Sequence, residues 1–158
     1  MTDWKLLNQA AIGINWLKAI SHEDNANKTL LEILESNQSS LFIKDERVLN
    51  VGVLMMASYV LFVYPQQTEF NQLDFSKIDI SKFKITFPKG DNNDSETLCR
   101  RLRNSITHAR FEVIHDEQVI KFKDEKKHGK DRIEFEIDTV SMGSFIDSFI
   151  REVNRQKL

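Results

Sequence analysis

Apolar residues recur over the first twenty positions at three- and four-residue spacing, through Trp4, Leu7, Ala11, Ile14, Leu17 and Ile20. That period puts them on one face of a helix, predicted over about 3–20. The polar run "SHEDNANK" interrupts it, and "TLLEILES" restores a helical pattern over about 28–36. From Val48 to Tyr64, "VLNVGVLMMASYVLFVY" is apolar almost throughout and predicts a helix over about 46–64 that Pro65 ends. Such a run raises the question of a membrane span. Asn50 and Ser58 within it, Asp45, Glu46 and Arg47 ahead of it, and a length slightly short of a span favour a buried central helix instead.

The pattern loosens from Phe70 to Pro88, where Leu73, Phe75, Ile78, Ile80, Phe83, Ile85 and Phe87 predict an apolar, partly extended wrap. "KGDNNDSE" follows as a loop, with Asn93, Asp94 and Ser95 all able to cap a helix over about 95–110. The period then changes to two. Ile120 and Phe122 alternate with polar residues, as do Ile133, Phe135 and Ile137, and a Lys-rich loop containing Gly129 separates the runs. Those features predict a β-hairpin within about 111–137. Asp138, Thr139 or Ser141 can cap a last helix over about 140–156, which carries Val140, Phe145, Ile146, Phe149, Ile150 and Val153. The expected architecture is a single, mostly α domain over 1–158, a compact helical bundle with a small β-hairpin insertion before the last helix.

Composition refines this picture in three respects. The formal charge of −2 argues against a nucleic-acid coat over the whole surface, yet residues 96–132 hold ten Lys/Arg and seven Asp/Glu, a local net of +3. Cys99 is the single cysteine, which excludes an internal disulfide framework and fits a reducing cytosol, so a cytoplasmic location is expected. The first twenty residues lack a basic stretch followed by an apolar core, and no signal peptide is read there.

The helix at 95–110 carries the candidate chemistry. With Asn104 at zero and about 100° per residue, Leu98, Cys99, Leu102, Ile106 and Ala109 fall opposite it. Arg100, Asn104, Thr107 and His108 share the other side, with Arg103 at its edge. One face is an anchor and the other is chemically loaded. Arginines and a histidine on a solvated helix face would be ordinary, and Arg110 to His115 repeats the loose Arg-to-His spacing where no shared helical face is predicted. An asparagine directly after the arginine makes the pattern at Arg103 more specific. The side chains on that face can move protons and hold anionic oxygens. Histidine transfers protons near neutrality, a guanidinium holds phosphate charge, and asparagine can both donate and accept. His22, His115 and His128 fall in expected loops or at a strand end, with no metal-ligand spacing among them.

"RNSITH", Arg103 to His108, resembles the Arg-polar-x-x-x-His signature of the HEPN superfamily. HEPN domains are compact helical bundles with this motif near a late helix, so the resemblance covers most of the chain in outline. The β insertion before the last helix is similar to small plasmid-borne HEPN proteins of bacterial defence systems. The resemblance implies a metal-independent endoribonuclease, a toxin or defence effector, with Arg103 and His108 as the catalytic pair and Asn104 orienting them. Arg100, Thr107 and Arg110 would bind RNA around that pair. No metal or other cofactor is implied. The implied partners are RNA, a second copy forming a composite site in a homodimer, and an antitoxin or defence-system partner, with no membrane. Some HEPN proteins are noncatalytic, so an RNA- or nucleotide-binding sensor or scaffold is the alternative. HEPN toxins silenced by a nucleotidyltransferase usually carry a tyrosine two residues after the histidine; Arg110 stands there instead.

Overall fold

The computed structural model describes residues 4–41, 50–65, 67–87, 94–125 and 131–157. Its contacts group into two compact units, Met1–Met56 and Ala57–Leu158, with the boundary inside one helix.

The first unit holds α1 (Trp4–Ser21), a short 3₁₀ turn (Glu23–Asn25), α2 (Leu30–Leu41) and the start of α3 (Val51–Phe62). A reciprocal cap starts α2. Thr29 N–H donates to the Glu32 carboxylate at 2.7 Å, and Glu32 N–H donates to Thr29 Oγ1 at 3.3 Å. From Ala11 onward, the predicted apolar stripe of α1 is not the one that is buried. Gln9, Ile12, Gly13 and Trp16 face inward, while Ala11, Ile14, Leu17 and Ile20 are exposed. The cause is a close approach that the helical period alone does not reveal. Asn50 Nδ2 donates to the Gln9 carbonyl at 3.0 Å, and a Cβ on Gly52 would lie 2.7 Å from Leu6 O, 2.8 Å from Gln9 C and closer still to Ala10 N. Backbone meets backbone there, so α1 turns that side toward α3. Gly52→Ala is therefore expected to lower stability by about 3 kcal/mol, the upper end for overpacking, because backbone atoms cannot swing aside. A fall in the urea midpoint at unchanged m-value measures it.

In the second unit, the remainder of α3 is not buried all round. Ser58 and Phe62 face inward while Tyr59 and Val60 are exposed. Next come α4 (Gln67–Phe70), β1 (Lys84–Phe87), α5 (Ser95–Thr107), β2 (Phe111–Ile114), β3 (Val119–Glu125), β4 (Arg132–Asp138) and α6 (Thr139–Lys157). The chain is mostly α with a four-stranded antiparallel sheet of order β1-β4-β3-β2, larger than the expected hairpin. β3 and β4 pair with Phe122 opposite Phe135; β2 adds to one edge and β1 to the other. Alternation sets the two faces. Ile120, Phe122, Ile133, Phe135 and Ile137 are buried, and the opposite face carries Glu112, Lys121, Glu136 and Lys84 in register as a row of alternating charge. The core is aromatic: Phe62, Phe70, Phe83, Phe145 and Phe149 pack ring on ring, and Phe75 closes on Phe70 at 5.2 Å. Asp138 opens α6 by accepting from Ser141 N–H at 2.8 Å, and the Ser141 hydrogen bonds hold its carboxyl below the usual range. Positions 46–49, 88–93 and 126–130, covering part of the expected third helix, Asn93 and most of the Lys-rich loop, lie outside the described residues.

Candidate functional site

Asp94 caps α5, accepting from Thr97 N–H at 2.7 Å, and the helix runs from Ser95 to Thr107 rather than to 110. Its end is a Schellman turn. Arg110 N–H donates to Ser105 O at 2.7 Å, Ala109 N–H donates to Ile106 O at 3.1 Å, and Ala109 is left-handed at φ 51°. His108 is consequently the C-cap, at φ −98° and ψ 10°, and not a residue of the helix face. Its N–H still reaches Asn104 O at 3.0 Å, so the helix holds its backbone while the side chain stands exposed.

The buried face of α5 is broader than the predicted arc. Leu98, Cys99, Leu102 and Ile106 are buried, Arg101 and Ser105 join them, and Ala109 is exposed. Burial pushes the Cys99 thiol up to about 12, leaving it a protonated packing group. Arg101 is only 5% exposed, although arginines on this helix read as solvated. Its Nη1 donates to Asp124 at 2.9 Å, and its Nη2 pairs with Asp131. Ser105 Oγ lies 2.8 Å from Arg101 O and 3.0 Å from Lys123 O, sharing its one proton between them, and Lys123 N–H donates to Arg110 O at 2.9 Å, which ties α5 and its terminal turn to β3.

The six expected site residues divide among three surroundings. Asn104, half-buried, donates from Nδ2 to Asp124 at 3.2 Å, and Arg110 reaches the same carboxylate at 3.7 Å while donating to Glu125 O at 3.0 Å. The opposite flank holds Arg103, whose Nη2 donates to Pro65 O at 3.2 Å and whose guanidinium lies 5.4 Å from the Phe70 ring centre. Arg100 and Thr107 on the helix and His108 at its C-cap are exposed. Arg100 pairs with Glu96 at 2.6 Å, and Thr107 Oγ1 donates back to Arg103 O at 2.8 Å. The fold thus brings Asn104 and Arg110 to one carboxylate and draws Arg103 away from them.

A cleft of about 430 Å³ opens beside the terminal turn of α5, lined by Ala109, Arg110, Phe111, Lys121, Lys123 and Glu125 among others. Lys123 and Glu125 form an ion pair at 3.0 Å within it, an interaction that holds the Glu125 carboxyl below its usual range. The charges there are mixed rather than uniformly basic.

Asp124 and Asp131 were not singled out by the sequence patterns. The available signal was positional: Ile120, Phe122 and Asp124 share the inward side of β3, and an acid on that side requires a buried partner. Among the described residues no group of three or more His, Cys, Asp or Glu is placed to hold a metal ion. No described helix is long and apolar enough to cross a membrane.

No curated protein and no solved structure matches the chain. Among protein families, one described as HEPN pEK499 p136 matches residues 8–157, a span that includes α5, its motif and the sheet behind it. The motif on α5 and a match of that extent agree, and the chain belongs to the HEPN pEK499 p136 family, a HEPN-type family from a plasmid-borne protein.

Proposed function

We propose that the protein is a metal-independent endoribonuclease whose site is built around Arg103, Asn104 and His108. The observation that carries this reading is "RNSITH" at the end of a capped helix in a HEPN-family chain, with its histidine exposed and its asparagine held. RNA supplies its own nucleophile. The 2′-OH attacks the adjacent phosphorus, the bond to the 5′-oxygen breaks, and a 2′,3′-cyclic phosphate remains. The protein must remove the hydroxyl proton, protonate the leaving oxygen and stabilise the phosphorane charge. His108 suits either proton transfer, and Arg103 offers a fork of donors to the phosphate once it leaves Pro65. Arg100, Thr107 and Arg110 border the motif and would hold flanking phosphates.

One His108 per chain supplies one proton-transfer group where two are useful. A C₂ homodimer that brings two motif helices together supplies both from one sequence. A cytoplasmic toxin or defence effector, restrained by an antitoxin or defence-system partner, is the setting this chemistry fits. The second reading is a noncatalytic RNA- or nucleotide-binding module, favoured by the docking of Arg103 on Pro65 and Phe70 away from Asn104.

Incubating the purified protein with total RNA in excess EDTA tests the proposal. Fragments ending in 2′,3′-cyclic phosphate are expected. Intact RNA, or cleavage that returns only with added Mg²⁺, would overturn it.

A further inference from the structure

We propose that Asp124 is a positioning residue that fixes the side-chain amide of Asn104 and thereby assigns Asn104 the role of hydrogen-bond acceptor in the reaction; this rests on the ribonuclease reading above. Asp124 occupies an inward position of β3 that Ile120 and Phe122 fill with apolar side chains at the neighbouring inward positions, and it is 4% exposed. A carboxylate at such a position is costly unless donors surround it. Three α5-side groups approach it: Arg101 Nη1 at 2.9 Å, Asn104 Nδ2 at 3.2 Å and Arg110 Nη1 at 3.7 Å. Asp131 takes the other branch of Arg101, so two carboxylates share one deeply buried guanidinium. Arg110 stands at the long limit of an ion pair with Asp124, so Asn104 Nδ2 is the second close donor to that carboxylate after Arg101.

The direction of this bond has a chemical consequence. An ionised carboxylate only accepts hydrogen bonds, so the NH₂ end of the Asn104 amide must face Asp124. The carbonyl Oδ1 is then the end left to receive a proton donor, such as the His108 ring N–H or the RNA 2′-OH. Two contacts oppose sliding of β3 against α5. Ser105 Oγ to Lys123 O and Lys123 N–H to Arg110 O pin the two elements on the residue preceding Asp124. An amide held in one orientation before substrate arrives costs no reorganisation during the reaction.

A double-mutant cycle of Asp124→Asn and Asn104→Ala on the full chain tests this, below the melting temperature of every variant. In the wild-type background, Asp124→Asn should lower kcat by about tenfold to a hundredfold, the scale of one charge-assisted hydrogen bond, and move KM by less than about threefold. In the Asn104→Ala background the same substitution should change kcat by less than about twofold, since the group it positions is gone. Equal losses in both backgrounds would overturn the proposal and leave Asp124 a structural residue. The Asn104 side-chain NH₂ signal, identified by its loss in Asn104→Ala, gives a readout that needs no activity. Its hydrogen exchange should be slow in wild type and at least about tenfold faster in Asp124→Asn. Unchanged exchange overturns the positioning role, whereas inactive wild type with accelerated exchange overturns only the ribonuclease reading.

Discussion

His108→Ala is expected to leave RNA essentially intact, with a single-turnover rate lower by about 10²–10⁴-fold, the usual contribution of a positioned acid or base. The fold should survive. His108 contributes to the structure through its backbone N–H, which donates to Asn104 O, while its side chain is exposed. Arg103→Ala should cost about 10²–10³-fold through lost phosphate stabilisation. This variant also loses the contact with Phe70 and the bond to Pro65 O, so roughly 1 kcal/mol of stability goes with it. Rates therefore need to be read well below its melting temperature, with circular dichroism confirming the helix. The proposed composite site adds a sharper expectation. If both chains must supply His108, an equal mixture of wild type and His108→Ala that exchanges subunits retains about a quarter of the activity, against about half for simple dilution. A His108→Ala protein that cleaves at the wild-type rate would end the assignment, and a mixture tracking dilution would restrict the site to one chain.

What could be read before the structure follows from how local each feature is. The α5 start was legible because capping is a short-range event: a side-chain oxygen at 94 meets an N–H at 97. The alternation in β3 and β4 was legible because a strand's two faces are written at period two, and those strands pair in register over Val119–Glu125. The end of α5 was not. Helices usually stop with glycine in the left-handed position, and here Ala109 takes it, so a period of 3.6 ran on to 110 and placed His108 one turn too far into the helix. β1 was hidden for a different reason. Lys84–Phe87 pairs with β4 across some fifty residues of sequence, and no local pattern encodes such a partner.

The same distinction applies within the site. The residue types at 103, 104 and 108 were visible as a motif, but their surroundings are set by chain segments far away: Pro65 and Phe70 for Arg103, Asp124 for Asn104. An arginine on a polar helix shoulder is usually solvated, and nothing local to residue 101 indicates otherwise. Only the arrival of β3 with an inward acid makes it a core residue. The motif is local in sequence, while tertiary contacts determine which of its atoms are presented.

Arg101→Ala should be among the most destabilising single substitutions in the second unit, at about 3–5 kcal/mol. The guanidinium is 6% exposed in its side chain and is the closest cation to Asp124 at 6% and Asp131 at 15%, so removing it takes a main counter-charge from two carboxylates with little access to water. For a chain of this length that corresponds to a fall in Tm of roughly 6–20 °C. Arg100 provides the internal control. Its pair with Glu96 is about half exposed on both sides, and Arg100→Ala should cost under about 1 kcal/mol. The expected loss reflects uncompensated charge rather than attraction as such, which a combined variant can separate. Arg101→Met with Asp124→Asn and Asp131→Asn removes all three charges together and should recover most of the stability lost by Arg101→Ala. Under the proposed positioning role it should not restore wild-type kcat, because Asn104 would then face a neutral amide in place of Asp124. Equal melting temperatures for Arg101→Ala and Arg100→Ala would show that the buried cluster does not hold α5 to the sheet.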